Sequence, residues 1–187
     1  MALEHRYDPP QRFVAGTVGE PGQRTFFLQA SDGARVTSVA LEKQQVQLLA
    51  ERVNAMLDEM MRAHGGDPEI PALVTEELLD SDPLRAPIEE DFRAGTMTLA
   101  WDEDHKRVII EVFASDGEAE DESEPVEHEV PSSDEALVVV LPPAEARAFC
   151  VRATQVVGAG RPSCEFCAEP MDPAGHVCPR MNGFRRR

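Results

Sequence analysis

The sequence predicts an α+β fold. Duplicated β-β-β-α units form an antiparallel sheet or half-open barrel with two helices, followed by a small zinc-ribbon-like tail. Three observations predict it. Apolar residues alternate through three short stretches and then change to a period of about 3.6, and this succession occurs twice. Short turn-bearing links join the stretches, which suits antiparallel meanders. The last 24 residues gather three of the four cysteines.

The first unit opens with Phe13 to Val18, apolar and β-branched, which stops at a turn holding Gly19, Pro21 and Gly22. Arg24 to Ala30 alternates, with Phe26 and Leu28 on one face and Thr25, Phe27 and Gln29 on the other. Asp32-Gly33 is a two-residue hairpin signal, and Arg35 to Ala40 follows it. Val46, Leu49, Val53, Leu57 and Met60 then recur at helical steps within Glu42 to His64. Gly65 and Gly66 stand where a helix C-cap wants a left-handed residue.

Residues 66 to 91 contain Pro68, Pro71, Pro83 and Pro87 among acidic side chains, which reads as a connector with one short helical turn near Thr75 to Leu79. Its length predicts that it packs along the surface. The pattern restarts with a strand over Phe92 to Trp101, where Met97, Leu99 and Trp101 share a face. A turn at Asp102 to Lys106 leads to a strand over Arg107 to Ser115. Asp116 to Glu129 holds eight acidic residues in fourteen, and such a run is expected to form a mobile loop. Ala136 to Leu141 is a continuous apolar strand, buried on both faces. Pro142-Pro143 starts a helix whose apolar stripe is Ala146, Phe149, Cys150, Ala153 and Val157, and Gly158 ends it.

Phe13-Val14-Ala15-Gly16-Thr17 matches Phe92-Arg93-Ala94-Gly95-Thr96, and Ala30-Ser31-Asp32-Gly33 matches Ala114-Ser115-Asp116-Gly117. Leu41 matches Leu141, and the helices align from there. The anchors keep their order, which reads as an internal repeat related by a pseudo-two-fold. Repeat one covers 12–65, the connector 66–91 and repeat two 92–160, so residues 1–160 are one duplicated domain. One such unit alone buries too little surface for a good core; two can share a hydrophobic layer.

The 187 residues give 20.6 kDa, with 42% hydrophobic and 28% charged residues, enough to bury a core. The formal net charge is −17, which opposes nucleic acid and anionic membranes as main partners. No stretch approaches the roughly 20 apolar residues of a membrane span, and MALEHRYDPP lacks the apolar core of a signal peptide. The chain is therefore read as soluble and cytoplasmic.

In a reducing cytosol, clustered cysteines are read first as metal ligands. Cys164-Glu-Phe-Cys167 is a C-x2-C pair, and His176-Val-Cys178 follows within a few residues. The H-x-C spacing departs from the usual ribbon. Cys164, Cys167, His176 and Cys178 supply four N or S donors, the number a tetrahedral zinc takes. They leave no open position, so the site is structural. Iron and incidental clustering are the alternatives. Ligation also explains how a tail of 161–187, poor in apolar residues, could order. This tail holds five arginines against three acids, a formal +2, and its docking on the acidic body follows from the opposite signs.

Other candidates read as structural. His5, His64, His105 and His128 are scattered and suit solvated surface positions. Cys150 lies on a helix's apolar stripe. Glu89, Glu90 and Asp91 form an acidic run beside a strand, more commonly exposed than metal-bound. Tyr7 and Trp101 are the single residues of their kinds. No Walker, dinucleotide-binding or G-x-S-x-G pattern is present. Arg12, Arg24, Arg35 and Arg93 fall at strand starts in both repeats; they could line an anion site at the pseudo-two-fold, but edge-protecting surface charge is the favoured role.

The paired F-x-A-G-T segments and the ending C-E-F-C-A-E-P-M-D-P-A-G-H-V-C-P-R-M-N-G-F resemble an actinobacterial family of uncharacterised repeat proteins, a domain of unknown function. The resemblance covers nearly the whole chain, and the Cys/His ending is its most specific part. Two lysines against sixteen arginines suit a GC-rich genome of that kind. The resemblance implies no assigned activity and transfers no catalytic residue. It implies protein partners, namely the histidine-phosphatase-like and phosphoinositide-kinase-like proteins encoded beside such members.

Two functional readings follow. The first is a non-catalytic binding or adaptor protein with a structural zinc. The second is an enzyme or ligand-binding protein acting on a phosphorylated small molecule in a cleft between the repeats. Convergence of Arg12, Arg24, Arg35 and Arg93 in one pocket would favour the second. A weaker third reading has Arg185, Arg186 and Arg187 touch nucleic acid.

Overall fold

Seven strands and two helices follow one another in the computed structural model, which describes residues 3–115 and 135–160 together with Cys164, Phe166, Cys167, Met171 and Cys178. The strands are β1 (Leu3–Tyr7), β2 (Arg12–Val18), β3 (Thr25–Asp32) and β4 (Arg35–Leu41), then β5 (Phe92–Asp102), β6 (Arg107–Ala114) and β7 (Glu135–Leu141). Helix α1 (Lys43–Ala63) follows β4, and α2 (Pro143–Gly158) follows β7. The acidic run 116–129 with His128, His176, and the arginines 185–187 lie outside the described residues.

Local chemistry explains the helix ends. The Gln45 side chain accepts the Glu42 backbone N–H at 2.8 Å, which satisfies a free donor at the start of α1. At its other end Gly65 and Gly66 take φ of 65° and 84°, the left-handed region expected of them. Pro143 occupies the first turn of α2, where its missing N–H costs nothing.

The strands form one sheet in the order β1-β7-β6-β5-β4-β3-β2, an α+β architecture with a mixed, unclosed sheet. Within each meander the pairing is antiparallel, as the short links require. Two pairings are parallel, which corrects the purely antiparallel expectation. β4 meets β5 at Val39↔Phe92, and β1 runs beside β7 from Leu3↔Glu135 to Tyr7↔Val139. The reason is length: α1 and the connector give the chain room for a crossover back to a parallel neighbour. The meanders consequently follow one another in the same sense along the sheet.

The sheet curls strongly. Three strands separate β1 from β4, yet Tyr7 and Thr37 share a hydrogen bond of 2.9 Å. Arg35 stacks its guanidinium 3.9 Å from the Tyr7 ring centre and donates to the Arg6 carbonyl at 2.6 Å. The apolar stripes of both helices join the inner face, with the Phe13 and Phe149 rings stacked at 4.6 Å.

The outer face of the first meander carries a second apolar cluster of Val14, Phe27, Ala40 and Leu84. Leu84 belongs to the connector, which packs along the surface as its length predicts. Gln29 fastens it there, accepting from the Arg85 N–H at 2.7 Å and donating to the Arg85 carbonyl at 3.0 Å. Its helical turn is a 3-10 turn at Glu76–Leu78.

Candidate metal centre

Just beyond the end of α2, Cys164, Cys167 and Cys178 bring their sulfurs within 4.8 Å of one another. None of the three is joined in a disulfide. Cys164 and Cys178 are 5% and 4% exposed, so two thiols lie inside the protein. Among the described residues this is the one group of three or more ligand-type side chains close enough to share an ion.

The geometry suits a tetrahedral metal. Cys164 Sγ and Cys178 Sγ are 3.8 Å apart. Thiolates at about 2.3 Å from a tetrahedral ion stand about 3.8 Å from each other. The Phe166 backbone N–H donates to Cys164 Sγ at 3.4 Å, as a C-x2-C turn allows. Backbone N–H groups of Cys167 and Phe166 hold the Cys164 thiol below its ordinary pKa, against the opposing effect of burial, with the neighbouring thiols adding to the shift. Thiolate is the ligand form, so the peptide turn prepares the sulfur for a soft cation. His176, the fourth predicted ligand, lies outside the described residues.

The arginines at the strand starts do not converge. Arg12 makes a bidentate pair with Asp80 at 2.6 and 2.9 Å. Arg24 lies over the Phe26 ring and donates to the Ala159 carbonyl at 3.1 Å. Arg35 caps Tyr7. Arg93 reaches Glu42 at 3.3 Å and Glu90 at 3.7 Å. Each serves a separate contact and the four share no pocket: strand-start arginines here clamp neighbouring segments.

In the acidic run beside β5, Glu89 and Glu90 are exposed and Asp91 is tied to β4. Asp91 accepts the Ser38 N–H at 2.7 Å and returns its own N–H to the Ser38 carbonyl at 2.9 Å. His64 and His105 pair with Glu103 and Asp102 at 3.2 and 2.9 Å. His5 departs from a solvated position. It joins Glu135 at 2.8 Å, reaches Thr37 at 3.4 Å and stacks on Phe92. Cys150 is fully buried, and burial pushes its thiol up to about 12, which makes it an inert core residue.

Sequence reasoning missed two buried arginines on α2. Arg147 donates to the Pro71 carbonyl at 3.1 Å, to Asn54 and to Asp58. Arg152 donates to the Ala15 carbonyl, to Asp80 and to the Asp82 carbonyl. Both fasten the connector to the helix layer. Their signal was an arginine directly beside the apolar stripe, at Arg147 after Ala146 and at Arg152 before Ala153.

No helix is long and apolar enough to cross a membrane among the described residues. A sequence model of one protein family, described as protein of unknown function (DUF3090), matches residues 5–178. No curated protein and no solved structure matches the chain.

Proposed function

Because the chain belongs to the DUF3090 family of proteins of unknown function, no activity comes to it by kinship, and we propose from its own residues a non-catalytic binding or adaptor protein with a structural zinc. The observation that carries this reading is the 3.8 Å separation of Cys164 Sγ and Cys178 Sγ beside a third thiol. Cys164, Cys167 and Cys178 hold the ion, and His176 completes the set. Four protein donors leave no position for water or substrate, so the metal ties chain segments together. It supplies folding energy to a segment poor in apolar residues.

The separate engagement of Arg12, Arg24, Arg35 and Arg93 supports a binding role over catalysis on a phosphorylated molecule. The partners are proteins of the reducing cytoplasm, with the histidine-phosphatase-like and phosphoinositide-kinase-like neighbours the first to test. The two β-β-β-α halves are copies of one ancestral unit in this reading, which their identical element order supports.

Elemental analysis of the purified protein tests the metal, with one zinc per chain expected and its loss when Cys164 and Cys167 become serine. Thiols that titrate freely in untreated protein contradict it. Co-purification of either neighbour with the tagged chain tests the adaptor role.

A further inference from the structure

Helix α1 carries a second apolar stripe besides the one it buries. Leu48, Ala55 and Met56 line one wall of an open groove, and Met97, Leu99 and Trp101 of β5 line the other. The groove has a volume of about 600 Å³. Helix α1 packs chiefly on α2 and only lightly on β5. Leu48 is 50% exposed, and the methionines and Trp101 are half-buried. Flexible Met side chains with one aromatic anchor form a surface that adapts to an apolar partner.

Two charges on the α1 wall define that partner further. Arg52 and Glu59 also line the groove, and neither makes a hydrogen bond or ion pair among the described residues. They stand about two turns apart on one helix face. From Leu48 to Glu59 the wall runs about 16 Å, the length of three helical turns.

We propose that this groove is a docking surface for an amphipathic helix of a partner protein, about three turns long, that sets an acid against Arg52 and a base against Glu59. Large apolar residues at i, i+3, i+4 and i+7 fill the space between α1 and β5, as helix-in-groove recognition requires. The opposite charges fix the helix direction. This inference rests on the reading of the chain as a binding protein and does not depend on the metal.

The probe is a three-turn model helix with leucines at those four positions and a glutamate and a lysine two turns apart. Trp101 is the only tryptophan, so its fluorescence reports occupancy directly. Saturable binding is expected, weakened at least about tenfold by Met56→Asp and by Leu48→Asp, two solvent-facing variants whose folding circular dichroism confirms. Replacing the glutamate of the peptide by lysine weakens binding, and Arg52→Glu reverses that preference. The Cys164→Ser, Cys167→Ser variant binds the peptide as the parent does, so failure of the metal assignment stays distinguishable. Binding no tighter than about millimolar, or indifferent to Met56→Asp and Arg52→Glu, overturns the proposal. So does self-association that Met56→Asp abolishes, which would make a second copy the occupant. A co-purified partner whose hydrogen-exchange footprint lies elsewhere overturns the groove and leaves the adaptor reading in place.

Discussion

Arg152 grips Asp80 from a single nitrogen, Nη1 donating to the carboxylate at 2.6 Å and to the main-chain oxygen at 2.8 Å. Arg12 donates to both oxygens of the same carboxylate. Three elements distant in sequence, β2, the connector and α2, are thereby joined at one side chain. Asp80→Ala leaves the buried Arg152 without its counter-ion. We expect a loss of about 2–3 kcal/mol in urea unfolding, below the ~3–5 of a fully buried pair because Asp80 keeps 29% exposure.

The same carboxylate gives a pH dependence. The hydrogen bond from Arg12, then the Arg12 and Arg152 charges and the Asp82 N–H, hold Asp80 below the usual carboxylate range despite partial burial. A depressed folded-state pKa contributes stability that is complete above the unfolded value of about 3.9 and disappears as pH falls through the folded value. Unfolding midpoints from pH 7 to pH 3 therefore fall less steeply in Asp80→Asn than in the parent.

Gly16 lies directly beneath Leu84. A Cβ built at Gly16 would stand 2.5 Å from Leu84 Cγ, so the connector rests on a strand that has no side chain there. Gly16→Ala is expected to cost about 1–3 kcal/mol by overpacking. Combined with Leu84→Ala it costs less than the sum of the two, which a double-mutant cycle measures. The matching Gly95 is tight for a different reason, with Ser115 Cα 3.0 Å from its built Cβ.

What the sequence discloses is what local chemistry writes. The period change at Glu42, the glycines at 65 and 66, and Pro143 placed α1 and α2, because helix ends are set by neighbouring residues. β1 was not legible. Leu3 to Tyr7 is mostly polar, and it becomes a strand through pairing with β7, some 130 residues away. The parallel β4/β5 pair depends likewise on a crossover path that no spacing records. The C-x2-C pair was legible because its two sulfurs are held by one turn. Arg147 and Arg152 were not, because their acceptors sit in distant segments.

Tyr7 tests how β1 is held. Its hydroxyl is buried and bonded to Thr37 across the curl of the sheet. Tyr7→Phe should cost about 1 kcal/mol, the net value of one buried hydrogen bond. Amide exchange in Leu3–Tyr7 should quicken more than in β3, since the loss is local to an edge strand.

The four thiols should report in three steps. With the proposed zinc held by three of them, native protein exposes none to a thiol reagent, since Cys150 is buried with its pKa pushed up to about 12. A chelator frees Cys164, Cys167 and Cys178. Cys150 reacts only in denaturant.

X-ray absorption at the zinc edge of the purified protein tests the closed, thiolate-held site most directly. The account predicts three sulfurs at about 2.3 Å and one nitrogen at about 2.0–2.1 Å. A shell containing water or carboxylate oxygen, or an absence of bound zinc, would contradict it.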